Sequence, residues 1–238
     1  MEPVTTGIFL TVEGLDFSGK STLVSNLEER LKRIGREVVL TREPGGPPPR
    51  EGEPVTVAHL TRQLLLEPQK LGIQESMPHE ATLMYFIGGR FAHMSSTVLP
   101  ALKRGAIVLC DRFYGSTFAF QGYGLELFER YGPLARGLYL SACAMLPRQP
   151  DGYVFLTAPA DVLDARRAER HGQQNHIDRM GPEFHARVRA GYERFFALDG
   201  APAEVGLERI PERLVVADGT MERQALADHV AAELARFL

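Results

Sequence analysis

The strongest constraint on this chain lies near its start, in Gly14-Leu15-Asp16-Phe17-Ser18-Gly19-Lys20-Ser21, continued by Thr22. The spacing Gly-x-x-x-x-Gly-Lys-Ser follows an apolar run over 8–13 and precedes Leu23, Val24, Leu27, Leu31 and Ile34, which recur on one helical face. A strand, a glycine loop and a helix in this order make a cradle for phosphate. Gly14 and Gly19 permit backbone angles and a close approach that a Cβ would block, so successive N–H groups can turn toward phosphate oxygens, and the helix N-terminus adds its dipole. Residues 14–22 are thus the expected ATP-binding segment. Lys20 should reach the β and γ phosphates, and the Ser21 hydroxyl should contact Mg²⁺.

Four further apolar runs, over 38–41, 106–110, 153–156 and 214–217, alternate with helical patterns. Such alternation predicts a five-stranded parallel sheet covered by helices on both faces, the three-layer α/β fold of P-loop NTPases. The first helix is predicted over 20–34, ended by Gly35. A second is predicted over 80–104, with Leu83, Ile87, Phe91, Met94, Val98 and Leu102 as its core stripe and a kink at Pro100. A closing helix carries Leu226, Val230, Leu234 and Phe237. Residues 45–54, rich in proline and glycine, and 200–211 read as surface loops, and 171–176 as a polar mobile cover. No stretch resembles a linker, so residues 1–238 read as a single domain.

Composition narrows the partners. No apolar run approaches the roughly 20 residues that span a bilayer, and the N-terminus lacks a basic start and a small-residue cleavage site, so a cytoplasmic protein without a membrane partner is expected. A net charge of −3 argues against a nucleic-acid partner. Cys110 and Cys143 lack metal-ligand spacing and read as reduced core residues.

The loop alone does not separate a kinase from a switch. Asp111 stands at the end of the third strand, where it suits a metal ligand or, alternatively, a cap on the following turn. Asp16 inside the loop would repel a triphosphate, which points it toward an acceptor. Transfer between two phosphate-bearing molecules needs a second set of cations, and Arg42, Arg90 and Arg112 are the candidates. Phe86, Arg90, His93 and Thr97 share a helical face about 100° from the core stripe. Phe86 could stack on a flat base there, or simply widen the stripe.

Four stretches resemble the thymidylate kinase family: 13–22 its phosphate loop, Thr41-Arg42-Glu43-Pro44-Gly45-Gly46 its signature after the second strand, Phe86-Ile87-Gly88-Gly89-Arg90 its base-stacking helix, and residues 111–122, from Asp111-Arg112 to Gln121-Gly122, its most distinctive segment. The resemblance implies transfer of the γ-phosphoryl of ATP to dTMP, in a homodimer. It implies that Phe86 stacks on thymine and that Arg90 contacts the base or the acceptor phosphate. Arg112 would bind that phosphate, with Arg42, Glu43 and Pro44 beside it, while Asp16 would face the sugar hydroxyl or the metal shell. Thr117 and Gln121 would line the base and sugar pocket, and Ser21 and Asp111 would hold the metal. Arg166, Arg167 and Arg170 resemble lid arginines, with the lid over about 166–179 and Arg167 and Arg170 acting with Lys20, Asp16 and Arg112 in catalysis.

Three departures stand out, one of them the loop over 47–54, which is longer than the family's and borders the expected acceptor phosphate, where Arg62 could also serve. Phe17 occupies a position that is arginine in some members, which shifts catalytic charge to the lid. Phe120 stands where many bacterial members have tyrosine, and so lacks a hydroxyl beside the sugar. Two alternatives have their own discriminating signs. A deoxynucleoside kinase would need Asp111 as a base for a neutral hydroxyl, whereas three arginines suit an acceptor that is already anionic. A guanine-nucleotide switch would carry Asn-Lys-x-Asp, which the chain lacks.

Overall fold

A computed structural model describes residues 7–33, 35–169, 177, 180–200 and 213–236. Five strands, β1 (Ile8–Gly14), β2 (Val38–Arg42), β3 (Ile107–Asp111), β4 (Gly152–Thr157) and β5 (Leu214–Asp218), form one sheet in the order β2-β3-β1-β4-β5. All four pairings are parallel. The register places Val12 beside Asp111, Asp111 beside Arg42, and Gly14 beside Leu156. The phosphate loop, the acid and one candidate arginine therefore leave the sheet at the same edge, where parallel α/β sheets bind ligands.

Both faces of the sheet are covered, which explains the near-continuous apolar strands. One face packs Leu10, Val12, Leu109 and Val154 against α1 (Lys20–Arg33) and α10 (Arg223–Leu234) through Leu23, Leu27, Ala227 and Val230. The other packs Phe9, Val108, Cys110 and Phe155 against an aromatic cluster of Phe113, Phe118, Tyr192 and Phe196. Each such side chain, once fully buried, stabilises the fold by roughly 1.5–3 kcal/mol over leaving it exposed. Helix α1 ends as predicted at Gly35, whose φ of 79° is left-handed, with Gly35 N–H on the Lys32 carbonyl and Arg36 N–H on the Leu31 carbonyl.

The predicted helix over 80–104 is interrupted. Helix α3 (His79–His93), which follows α2 (Val57–Leu66), widens into a π-helical turn at Met94–Val98 before α4 (Leu99–Lys103). Leu99 N–H reaches back five residues to the Met94 carbonyl. The wider turn lies directly ahead of Pro100, a residue that has no N–H and would press on the preceding carbonyls. A second π-helical turn, Phe118–Gly124, follows α5 (Tyr114–Thr117). Helices α6 (Leu127–Tyr131), α7 (Pro133–Ala144), α8 (Ala160–Glu169) and α9 (Pro182–Phe195) complete the cover. Phe237, Arg170, most of the predicted lid and the loop over 201–211 lie outside the described residues.

Candidate active site

The loop 14–21 has the conformation its glycines foretell. Gly14 has φ 145°, and a Cβ there would come within 2.3 Å of the Leu156 carbonyl oxygen on the neighbouring strand. Phe17, with φ 66°, is the non-glycine residue of the loop held in the left-handed region. Lys20 opens α1, is buried, and donates from Nζ to the Leu15 carbonyl at 2.6 Å, which leaves two ammonium hydrogens for a ligand. Burial and the neighbouring Arg112 lower its pKa to about 8 against the pull of Asp16, Asp111 and Glu13. Asp111, at the end of β3, keeps a buried Oδ1 with no hydrogen-bond partner among the described residues. Ser21 is exposed and Thr22 half-buried on the first turn of α1.

Beside the loop opens a cavity of about 690 Å³, in the size range of small-molecule sites. Asp16, Arg42, Glu43 and Pro44 line it from the strand ends, Phe86 and Arg90 from α3, and Asp111, Arg112, Thr117 and Gln121 from the segment after β3. All the residues expected to bind the acceptor thus share one space, although they come from four separate stretches. Phe86 belongs to neither core cluster, so its ring is a cavity wall and not a widening of the stripe.

Arg112 lies at the junction of loop and cavity. Nη1 donates to the Gly14 carbonyl at 3.0 Å, Tyr192 Oη at 2.9 Å and Ser116 Oγ at 3.1 Å, and Nη2 donates to Asp16 Oδ1 at 2.6 Å. Its guanidinium sits 5.0 Å from the Phe120 ring centre, so that ring offers an aromatic face to the cation. The Arg112 backbone is left-handed, with φ 68°, and its carbonyl accepts from the Cys110 thiol at 3.0 Å. Burial alone would raise the Asp16 pKa, but Arg112 and Lys20 outweigh it and the net shift is downward. For Arg112 burial acts downward, and Asp16 with Asp111 and Glu13 carries the net shift upward. Both partners of the pair are held charged.

Arg90 is enclosed. Nε donates to Glu43 Oε2 at 2.7 Å and Nη2 to Thr117 Oγ1 at 2.7 Å. Glu43 Oε1 faces His93 Nδ1 at 3.3 Å, and His93 Nε2 meets Thr41 Oγ1 at 2.6 Å. The helical face that joins Arg90 and His93 is therefore directed inward, onto β2.

On the other side of the loop, Arg166 of α8 donates from Nη1 to the Phe17 carbonyl at 3.1 Å and from Nη2 to the Gly219 carbonyl at 2.9 Å. Arg167 pairs with Asp164 at 2.7 Å, and its guanidinium lies 5.6 Å from the Phe17 ring centre. Two of the three expected lid arginines thus gather at Phe17 of the loop.

These features agree with comparisons to known proteins. The sequence model of the thymidylate kinase family matches residues 12–206. The chain belongs to the thymidylate kinase family. It is 34% identical over 224 residues to a thymidylate kinase of Exiguobacterium sp. (94% of this chain, 92% of the relative), and 37% identical over 213 residues to one of Pseudomonas fluorescens Pf-5 (90% and 88%). Among solved structures, thymidylate kinase from Ehrlichia chaffeensis superposes with a TM-score of 0.66 at 26% identity, covering 98% of this chain and 100% of that one.

Sequence reasoning passed over several residues of the site. Glu13 and Tyr192 surround Arg112 behind the cavity, while Ser116 also lines it. Arg62, which the sequence places beside the acceptor phosphate, lines the cavity too and donates from Nη1 to the Pro44 carbonyl at 2.8 Å. An acid inside an apolar buried strand was the available sign for Glu13. Tyr192 had none, because only the packing of α9 brings it to the loop.

Proposed function

We propose that this chain transfers the γ-phosphoryl group of ATP to dTMP, giving dTDP and ADP. The observation that carries this reading is the Asp16–Arg112 pair. An acid of the phosphate loop and an arginine of the cavity meet at 2.6 Å, so donor and acceptor sites share a wall. The acceptor phosphate is already an anion at neutral pH and needs no general base. Catalysis then rests on alignment and on charge from Lys20 and Arg112, with Arg42 and the α8 arginines beside them. Phe86 supplies a flat platform for thymine, and Thr117 and Gln121 its polar contacts. Arg170 is assigned to the lid with Arg167.

The orphaned Asp111 Oδ1 and the Ser21 hydroxyl fit Mg²⁺, which takes one or two protein oxygens and completes its shell with water and phosphate. When bound there, Mg²⁺ would neutralise charge on the β and γ phosphates. Exposed Val57 (69%), Leu60 (48%) and Met84 (51%) on α2 and α3 support a homodimer. A particle of 26.4 kDa in light scattering would reject that part.

The deciding assay incubates ATP and Mg²⁺ with thymidine, dTMP, dUMP, ribothymidine monophosphate and other monophosphates, and follows diphosphate formation. Turnover of dTMP is expected. Turnover of thymidine alone, or of nothing, would reject the reading. Lys20→Ala should lower turnover by about a thousandfold or more with unchanged circular dichroism.

A further inference from the structure

Glu13 closes an apolar strand with a carboxylate that is 1% exposed. A buried acid persists only when donors satisfy it, and this one has four. The Phe113 and Ser116 N–H groups reach Oε1 at 2.9 and 3.1 Å, and the Ser116 and Tyr192 hydroxyls reach Oε2 at 2.6 and 3.3 Å. Those two hydroxyls lie 2.8 Å apart, and both accept from Arg112 Nη1.

Proton counting fixes the polarity of this cluster. A hydroxyl has one hydrogen to give and two lone pairs to offer, while a guanidinium can only donate. With Glu13 ionised, Ser116 gives its hydrogen to Oε2, Tyr192 gives its own to Ser116 or to Oε2, and both present lone pairs to Arg112. If the Glu13 position donated instead, a hydroxyl hydrogen would be turned toward the cation. Burial leaves the pKa of Glu13 above the ordinary carboxylate value, although the Ser116 hydroxyl, Arg112 and the two N–H groups act against it.

We propose that Glu13 is a positioning residue for the phosphoryl acceptor, orienting the Ser116 and Tyr192 hydroxyls so that they hold the Nη1 side of Arg112 and aim its Nη2 side into the cavity. The inference rests on the reading of Arg112 as the group that binds the acceptor phosphate. Glu13 reaches the substrate only through these intermediaries. A purely structural alternative exists, since the same carboxylate also caps the first turn of α5 through the two N–H groups.

Glu13→Gln separates the two roles. The amide has the shape of the acid and its oxygen can still accept the N–H bonds, but its NH₂ faces the hydroxyls and reverses them. The expected result is a rise of about tenfold or more in KM for dTMP, the range that a charge-assisted hydrogen bond controls, with KM for ATP within about twofold. Tyr192→Phe and Ser116→Ala, which remove one hydroxyl each, should raise KM for dTMP in the same selective way. In the Tyr192→Phe/Ser116→Ala background, Glu13→Gln should add little further, because the relay is already gone.

Equal changes in both KM values, or undiminished Glu13→Gln effects in that background, would overturn the proposal. If Glu13→Gln does not fold, the two hydroxyl variants decide alone, and an unchanged KM for dTMP in both rejects the relay. Arg112→Ala serves as the separate control. If it leaves KM for dTMP unchanged, the reading of Arg112 has failed. If it raises that KM while Glu13→Gln does not, only the relay has failed.

Discussion

Two arginines face the same cavity, each paired with a carboxylate at about the same distance, and their pairs differ in burial. Arg90 and Glu43 are 4% and 3% exposed, and His93, Thr41 and Thr117 complete a closed network behind them. Arg112 and Asp16 are 17% and 28% exposed, and Asp16 belongs to the phosphate-loop motif. A guanidinium whose carboxylate is sealed in protein, such as Arg90, keeps that partner while it still lines the cavity. One whose carboxylate borders the substrate can exchange that partner for a phosphate. The contrast between the two pairs lies in the burial of the partner, not in the residue type or its place in the cavity.

The largest expected effect tests the open side. Arg112→Ala should lower kcat/KM for dTMP by about a thousandfold, the scale of an arginine at a transferring phosphoryl group, and lower the melting temperature only slightly. Steady-state kinetics and thermal unfolding on one preparation check both halves. Next, Arg90→Ala should cost about 3–5 kcal/mol of stability in denaturant unfolding, because it strands Glu43 as a buried charge without its arginine. If Arg112→Ala proved the more destabilising of the two, the contrast would be wrong.

Lys20 extends the comparison to the donor side, where the charge is buried and yet available. With a folded pKa of about 8, the free enzyme should lose kcat/KM for ATP by about tenfold per pH unit above that value. The effect on stability has the opposite sign. Between about 8 and the ordinary 10.5 the native state has shed the proton and the unfolded chain still holds it, so stability rises with pH across that window. Unfolding at pH 7 and pH 9.5 should show the increment in the wild type and not in Lys20→Met. The smallest effect is expected from Arg166→Ala, which frees the Phe17 and Gly219 carbonyls. KM for ATP should rise by about threefold to tenfold while KM for dTMP stays put.

Much of this site is legible in the amino-acid sequence because its parts are local. The phosphate loop lies between its own strand and helix, Asp111 and Arg112 sit at a strand end, and Phe86 and Arg90 are one helical turn apart. The inward direction of Arg90 and His93 is not legible there. Helical spacing shows that two residues share a face and does not show what that face meets. The π-helical turn at Met94–Val98 is hidden for a similar reason, since apolar steps of three and four describe an α-helix and a slightly wider turn equally well. Arg170 and most of the lid remain expectations from the sequence.

By itself, the sequence determined the parallel sheet, the phosphate-loop motif and the family resemblance, because each depends on residues within a few positions of one another, where glycine freedom, strand ends and helical spacing act directly. The tertiary structure decided which charges are free to work. Glu13, Arg112, Ser116 and Tyr192 meet only when β1, the segment after β3 and α9 pack together, and burial at that meeting point sets which groups stay ionised and which way their hydrogens point. Burial and hydrogen-bond direction belong to the assembled core, and no stretch of chain holds them alone.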